Sequence, residues 1–87
     1  MSTYPDILIL GRDTCEDTIS SRAHLDKLGI PYVYRNVESD AEADAWNRSY
    51  NDGNRVTPVI LLGDPQHPTA VLIEPSDDVL ERAVTGA

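Results

Sequence analysis

The residue with the most evident chemistry is Cys15, the one cysteine of this 87-residue chain, in the stretch "RDTCEDTIS". A thiol at the start of a helix can act as a nucleophile, because free backbone amides and the helix dipole stabilise the thiolate by about 0.3–1 kcal/mol. Glu16 and Asp17 follow it and oppose the thiolate by about 1.2 kcal/mol if each lies roughly 7 Å away in water. These effects nearly cancel, so the sequence predicts either a functional thiol close to an ordinary cysteine or an inert, half-exposed one.

The remaining reactive residue types give no second site. One cysteine cannot form an internal disulfide, which excludes a disulfide-stapled secreted domain. His24 and His67 have no metal-ligand spacing with Cys15, so we expect no metal site and predict that both histidines lie at the surface.

The charge balance is strongly acidic, with 15 acidic and 7 basic residues and a net charge of −8. Such a chain lacks the basic face that nucleic acids or an anionic membrane surface require, so we expect neither as a partner. The charge instead favours solubility, or a preference for cationic partner surfaces. The N-terminal residues lack a signal-peptide pattern and no run is long enough to span a membrane, which makes the cytoplasm the expected location.

The first half of the chain shows a strand followed by a helix. The apolar run at residues 7–10, ended by Gly11, is typical of a central strand buried on both faces. Thr14 has the position of a helix N-cap, and a helix from about Cys15 to Leu28 follows and ends at Gly29. We expect this helix to bury one apolar face: Ile19, Ala23, Leu25 and Leu28.

Three further strands and two further helices complete the pattern of one domain over residues 1–87. They are a strand at 30–37, a capping box at 39–42 that opens a helix to about Tyr50, strands at 57–62 and 69–73 joined by a loop at 63–68, and a last helix starting at Ser76. On the second helix, Ala43, Trp46 and Tyr50 share one face, which we assign to the core. The order β-α-β-α-β-β-α predicts an α/β fold with a four-stranded mixed sheet, strand order 2-1-3-4 and helices on both faces.

That order, with a cysteine opening the first helix, resembles the thioredoxin fold and a glutaredoxin in particular. Four segments carry the resemblance: residues 7–18 ("ILILGRDTCEDT"), 23–40, 53–62 ("GNRVTPVILL") and 75–84 ("PSDDVLERAV"). The "GNR" and "PSDD" stretches are similar to the mycoredoxin branch, whose members serve the small thiol mycothiol in actinobacteria.

The resemblance implies a set of site residues. Cys15 would be the catalytic nucleophile, facing a cis Pro58, with the Thr57 backbone pairing with substrate. Ser76 and Asp77 would bind the carboxylate and the amino group of a small thiol, although helix capping alone also explains both residues. The other substrate-binding candidates are Arg12, beside the thiol, and Arg55, which could bind a substrate carboxylate or simply lie on the surface.

Departures from the family pattern define the expected reaction. The second family cysteine is Thr18, and the paired glycines that often precede the last helix are Glu74 and Pro75. A monothiol route remains, in which mixed disulfides between a protein and a small thiol are reduced, with mycothiol or glutathione as co-substrate and no cofactor. The alternative is a thioredoxin-fold binding module without redox activity. Iron–sulfur carriage is disfavoured, because the resemblance would require Gly-Phe-Ser after the cysteine and a lysine before it.

Overall fold

A computed structural model of the protein describes residues 4–86. Its elements follow the predicted order: β1 (Ile7–Gly11), α1 (Glu16–Leu28), β2 (Val33–Asn36), α2 (Ala41–Ser49), β3 (Val59–Asp64), β4 (His67–Ile73) and α3 (Asp77–Thr85). None of the helices within these residues is both long and apolar enough to cross a bilayer.

The four strands form one sheet in the order β2-β1-β3-β4, as predicted. β1 pairs in parallel with β2 and antiparallel with β3, and β3 pairs antiparallel with β4. Leu10, near the end of β1, lies opposite Val59, the first residue of β3. The loop that follows β1 and the loop that precedes β3 therefore meet at the same edge of the sheet.

Alternate residues of β1 face two separate hydrophobic clusters, because a central strand in an α/β sheet is covered on both sides. One cluster joins Ile7 and Ile9 to the buried faces of α1 and α3, through Leu25, Leu80 and other apolar residues. The other joins Leu8 and Leu10 to Ala43 of α2, and Trp46 and Tyr50 pack against its edge. The Trp46 and Tyr50 side chains thus belong to the core side of α2, as expected.

The buried face of α1 differs from the prediction. The structure buries Thr18, Ser21 and Leu25, whereas Ile19 and Leu28 are 50% and 37% exposed and Ala23 is exposed as well. Only Leu25 was predicted correctly, together with the end of the helix at a left-handed Gly29. The reason is close packing: a Cβ added to Gly11 would lie 2.6 Å from the Thr18 side chain, so this turn of α1 lies too near β1 for larger residues.

The predicted N-caps of the first two helices and the predicted hairpin loop also differ from the structure. Cys15 itself is the N-cap of α1, without a side-chain cap, so Thr14 does not have that role. In α2 the cap is Asp40, whose carboxylate accepts from the Ala43 N–H at 3.1 Å. The hairpin loop is shorter than residues 63–68, because β3 and β4 continue pairing as far as Asp64 and His67.

We expect the Gly11→Ala variant to lower the free energy of unfolding by about 1–3 kcal/mol, because the added methyl overpacks against Thr18. Urea denaturation measures this change. Combining it with Thr18→Ala should cost less than the sum of the two single changes, because the smaller side chain makes room for the methyl group. Strictly additive losses would contradict the close contact between these two residues.

Candidate functional site

Cys15 lies at the junction of the two loops that the sheet brings together. Its Sγ donates a hydrogen bond to the Thr57 carbonyl oxygen at 3.4 Å, across 42 residues of sequence. The Thr57–Pro58 peptide bond is cis, as the sequence led us to expect. The cysteine is partly buried, with extended backbone just ahead of the first turn of α1. The thiol thus meets the proline loop at the sheet edge, as predicted.

A cavity of about 370 Å³ opens beside the sulfur and brings together four of the predicted site residues, Arg12, Cys15, Arg55 and Thr57, with Val56 and Glu74 as further lining. The Arg12 Nε donates to Thr57 Oγ1 at 3.4 Å, so this arginine connects the two loops. Arg55 is engaged elsewhere, because its Nε donates to Asp44 Oδ1 at 2.9 Å. This ion pair raises the pKa of Arg55 and fixes the side chain to α2.

Ser76 and Asp77 line a second cavity, of about 320 Å³, together with Asp17, Ser20, Pro75 and Asp78. The Ser76 hydroxyl caps α3 by accepting from the Val79 N–H at 3.2 Å. The Asp77 carboxylate accepts from the Ser20 hydroxyl at 3.1 Å. The structure therefore places these two residues beside the first helix rather than in the cavity that contains Cys15.

His24 is not the free surface histidine that the sequence predicted. Its side chain is only 18% exposed and lies between α1 and α3, with Nε2 at 2.8 Å from Glu81 and Nδ1 at 3.8 Å from Asp77. The contact depends on how the two helices pack, so the sequence of α1 alone gives no signal for it. His67, at the start of β4, is exposed as expected.

The pKa of the Cys15 thiol is lowered from its ordinary value. Burial raises this pKa, but hydrogen bonds from the Thr57 side chain and from the amide and hydroxyl of Thr18 together lower it by more, with help from the Asp17 amide. The local charges alone predict a near-ordinary thiol, whereas the proline loop and the helix start supply hydrogen bonds that lower its pKa.

Asp13, two residues before the cysteine, is paired with side chains on the side of β2. The Tyr34 hydroxyl donates to Asp13 Oδ1 at 2.7 Å, and the Arg22 guanidinium lies 3.8 Å from the Tyr34 ring centre and 3.9 Å from Asp13. Burial and the bond to Asp13 raise the pKa of Tyr34, which keeps its hydroxyl protonated as the donor. This contact, missed from the sequence, anchors the Cys15 loop to β2.

Within residues 4–86, no three histidine, cysteine, aspartate or glutamate side chains are grouped so that they could hold a metal ion.

A thiol at a helix start, facing a cis-proline loop on a four-stranded mixed sheet, defines a protein of the thioredoxin fold. The glutaredoxin family model matches residues 7–66, and the chain belongs to the glutaredoxin family. Mycoredoxin 1 of Corynebacterium glutamicum, found in two strains, is 36% identical over 64 residues, which are 74% of this chain and 78% of that protein. The chain thus lies in the mycoredoxin-like branch and has a glutaredoxin-like redox role. No solved structure gave a significant match.

We predict that Thr57→Val raises the pKa of Cys15, because it removes the hydroxyl that stabilises the thiolate. The pH dependence of iodoacetamide alkylation measures the change, and its midpoint should move to higher pH. Thr57→Ser retains a hydroxyl and is the matched control, with an expected midpoint near that of the wild type. Equal midpoints for the valine and serine variants would show that the Thr57 side chain does not act on the sulfur.

Proposed function

We propose that the protein reduces mixed disulfides between proteins and a small thiol by a monothiol mechanism, with Cys15 as nucleophile. The observation that supports this most strongly is the position of the sulfur. It lies at an open cavity, 3.4 Å from the Thr57 carbonyl, with a lowered pKa that increases the thiolate fraction at neutral pH.

The reaction consists of two thiol–disulfide exchanges. The Cys15 thiolate attacks the small-thiol sulfur of the mixed disulfide, so that this S–S bond breaks and the protein thiolate departs with the electron pair and takes up a proton. A second small thiol, as its thiolate, then attacks the small-thiol sulfur attached to Cys15. This step releases the oxidised small-thiol dimer and regenerates the Cys15 thiolate, whose negative charge the hydrogen bonds from Thr57 and Thr18 stabilise.

Thr18 determines the monothiol character of this route. It lies three residues after Cys15, is fully buried, and accepts from the Arg12 N–H at 3.4 Å. The sequence contains no second cysteine, so no thiol of the same chain can resolve the mixed disulfide on Cys15. Resolution must come from outside the chain, and a small thiol is the reductant that the mechanism requires.

Among small thiols, the charge of the site favours mycothiol over glutathione. Glutathione carries two carboxylates and one ammonium group at neutral pH and is a net anion, whereas mycothiol is an uncharged, polyhydroxylated thiol. The cavity beside Cys15 includes Glu74 together with Arg12 and the Asp44-paired Arg55. The neighbouring cavity, as far as residues 4–86 define it, includes three acids and no base: Asp17, Asp77 and Asp78. The similarity to Mycoredoxin 1 supports the same choice. Because a pool of reduced small thiol is kept in the cytoplasm, we propose that compartment for the reaction.

The second candidate is a thioredoxin-fold module that binds partners without redox chemistry. The two acids that follow the cysteine and the replacement of the second cysteine by Thr18 favour it. The two candidates differ in whether turnover depends on Cys15.

Turnover of a mixed disulfide between a reporter peptide and mycothiol, or glutathione, tests the proposed function. We expect catalysed release of the peptide thiol by the wild type, faster with mycothiol, and a fall to the uncatalysed rate for Cys15→Ser. Ser49→Ala, which changes a hydroxyl on α2, is a control expected to retain activity. Equal rates with and without the wild-type protein would favour the binding module.

Thr18→Cys tests whether the fold retains the geometry of a two-cysteine site. The two sulfur-bearing residues would be three positions apart at the start of α1, where the family has its cysteine pair. We expect mild oxidation to form an internal disulfide, detected as a mass loss of about two hydrogens and as protection of both thiols from alkylation. A variant that stays reduced under these conditions would contradict the proposed orientation of Cys15.

A further inference from the structure

Glu74 is the acidic residue that shares a cavity with Cys15, and the two exchange steps outlined above do not involve its side chain. It lies between β4 and α3, and its N–H donates to the Pro58 carbonyl oxygen at 2.9 Å. This bond fixes the residue against the loop that faces the thiol. Its side chain is exposed and borders the space through which a disulfide would reach the sulfur.

The backbone of Glu74 has a φ of +50°, in the left-handed region that favours glycine. A glycine would adopt this conformation freely, whereas a glutamate must be accommodated there. Unfavourable backbone conformations cluster at functional sites, where the strained residue often has a role. The Glu74 side chain contributes a negative charge beside the thiol.

Neither arginine of the cavity forms an ion pair with Glu74. Arg55 is paired with Asp44, and Arg12 donates to the neutral Thr57 hydroxyl and keeps its own positive charge. Glu74 forms no ion pair within residues 4–86. A disulfide approaching Cys15 therefore meets a thiolate and a carboxylate on the side of the cavity formed by Glu74.

We propose that Glu74 is a specificity-determining residue that disfavours disulfides carrying carboxylates near the sulfur and favours neutral or cationic ones. This assignment rests on the proposed function, since it concerns exchange at Cys15. The step it controls is attack by the Cys15 thiolate on a disulfide RS–SR, which forms the bond between Cys15 and one SR group. The other group leaves as RS⁻, which takes a proton from solvent.

Three small symmetric disulfides of similar length but different charge test the proposal: 2-hydroxyethyl disulfide, cystamine and 3,3′-dithiodipropionate. Mass spectrometry at low ionic strength gives the rate at which each forms a mixed disulfide with Cys15. We expect the order cystamine, hydroxyethyl disulfide, dithiodipropionate for the wild type. The ratio of the anionic to the neutral rate is the readout, because a changed thiol pKa affects both rates alike.

Glu74→Gln removes the charge and keeps the side-chain size, and should raise this ratio about threefold, from the Coulomb energy of two charges roughly 7 Å apart in water. Glu74→Gly should raise it as much and also relieve the left-handed backbone. In about 1 M salt the difference between wild type and variants should largely vanish. Asp26→Asn, in the last turn of α1, is the matched control with the same change in net charge, and its ratio should equal that of the wild type.

An unchanged ratio in both Glu74 variants would overturn the assignment, and so would an equal rise in Asp26→Asn, which would attribute the effect to net charge. If Cys15 reacts with none of the three disulfides, the proposed function fails, and the role of Glu74 fails with it. Reaction with the neutral disulfide but no dependence on Glu74 would overturn only the role of Glu74.

Discussion

The contact between the Cys15 Sγ and the Thr57 carbonyl, at 3.4 Å, is the interaction on which the site depends. It joins two loops that are distant in sequence and close in space, because β1 and β3 are neighbours with Leu10 opposite Val59. Both strands are buried in the centre of the sheet, so their ends have little freedom to move apart. Two buried central strands therefore position Cys15 against the proline loop.

The reactivity of the thiol depends on hydrogen bonds more than on nearby side-chain charges. Glu16 and Asp17 follow Cys15 in the sequence. Asp13, which precedes it, is paired with Tyr34 and Arg22. Donors from the proline loop and from the first turn of α1 act directly on the sulfur and outweigh the effect of burial on its pKa. Three charged residues, Arg12, Arg55 and Glu74, line the cavity beside the thiol, and we propose that Glu74 affects which disulfides react there.

The strand pattern of the fold could be read from the sequence because short apolar runs bounded by glycine and proline identify buried strands directly. The buried face of α1 could not. The apolar residues Ile19 and Leu28 suggested one face, yet the helix packs through Thr18 and Ser21, since Gly11 permits an approach that only small side chains fit. A pattern of hydrophobicity within one helix carries no information about the strand it meets.

The sequence likewise indicated some residues of the candidate site and missed others. Local sequence and family resemblance indicated Cys15 and the proline loop, and the structure places Arg12, Arg55 and Thr57 around the same cavity. The ion pair of Arg55 with Asp44, the bridge from His24 to α3 and the position of Glu74 all depend on tertiary packing. Contacts of this kind between separate elements have no local signature in a single sequence.

We propose that the folded structure, rather than the local sequence, makes Cys15 a reactive nucleophile. The most direct test compares the pH dependence of iodoacetamide alkylation of Cys15 in the folded wild type and in the same chain unfolded in urea. The two states share every local charge and differ in the contacts that the fold supplies. We predict a lower midpoint in the folded protein, with more thiolate at neutral pH. A folded midpoint equal to or above that of the unfolded chain would contradict it.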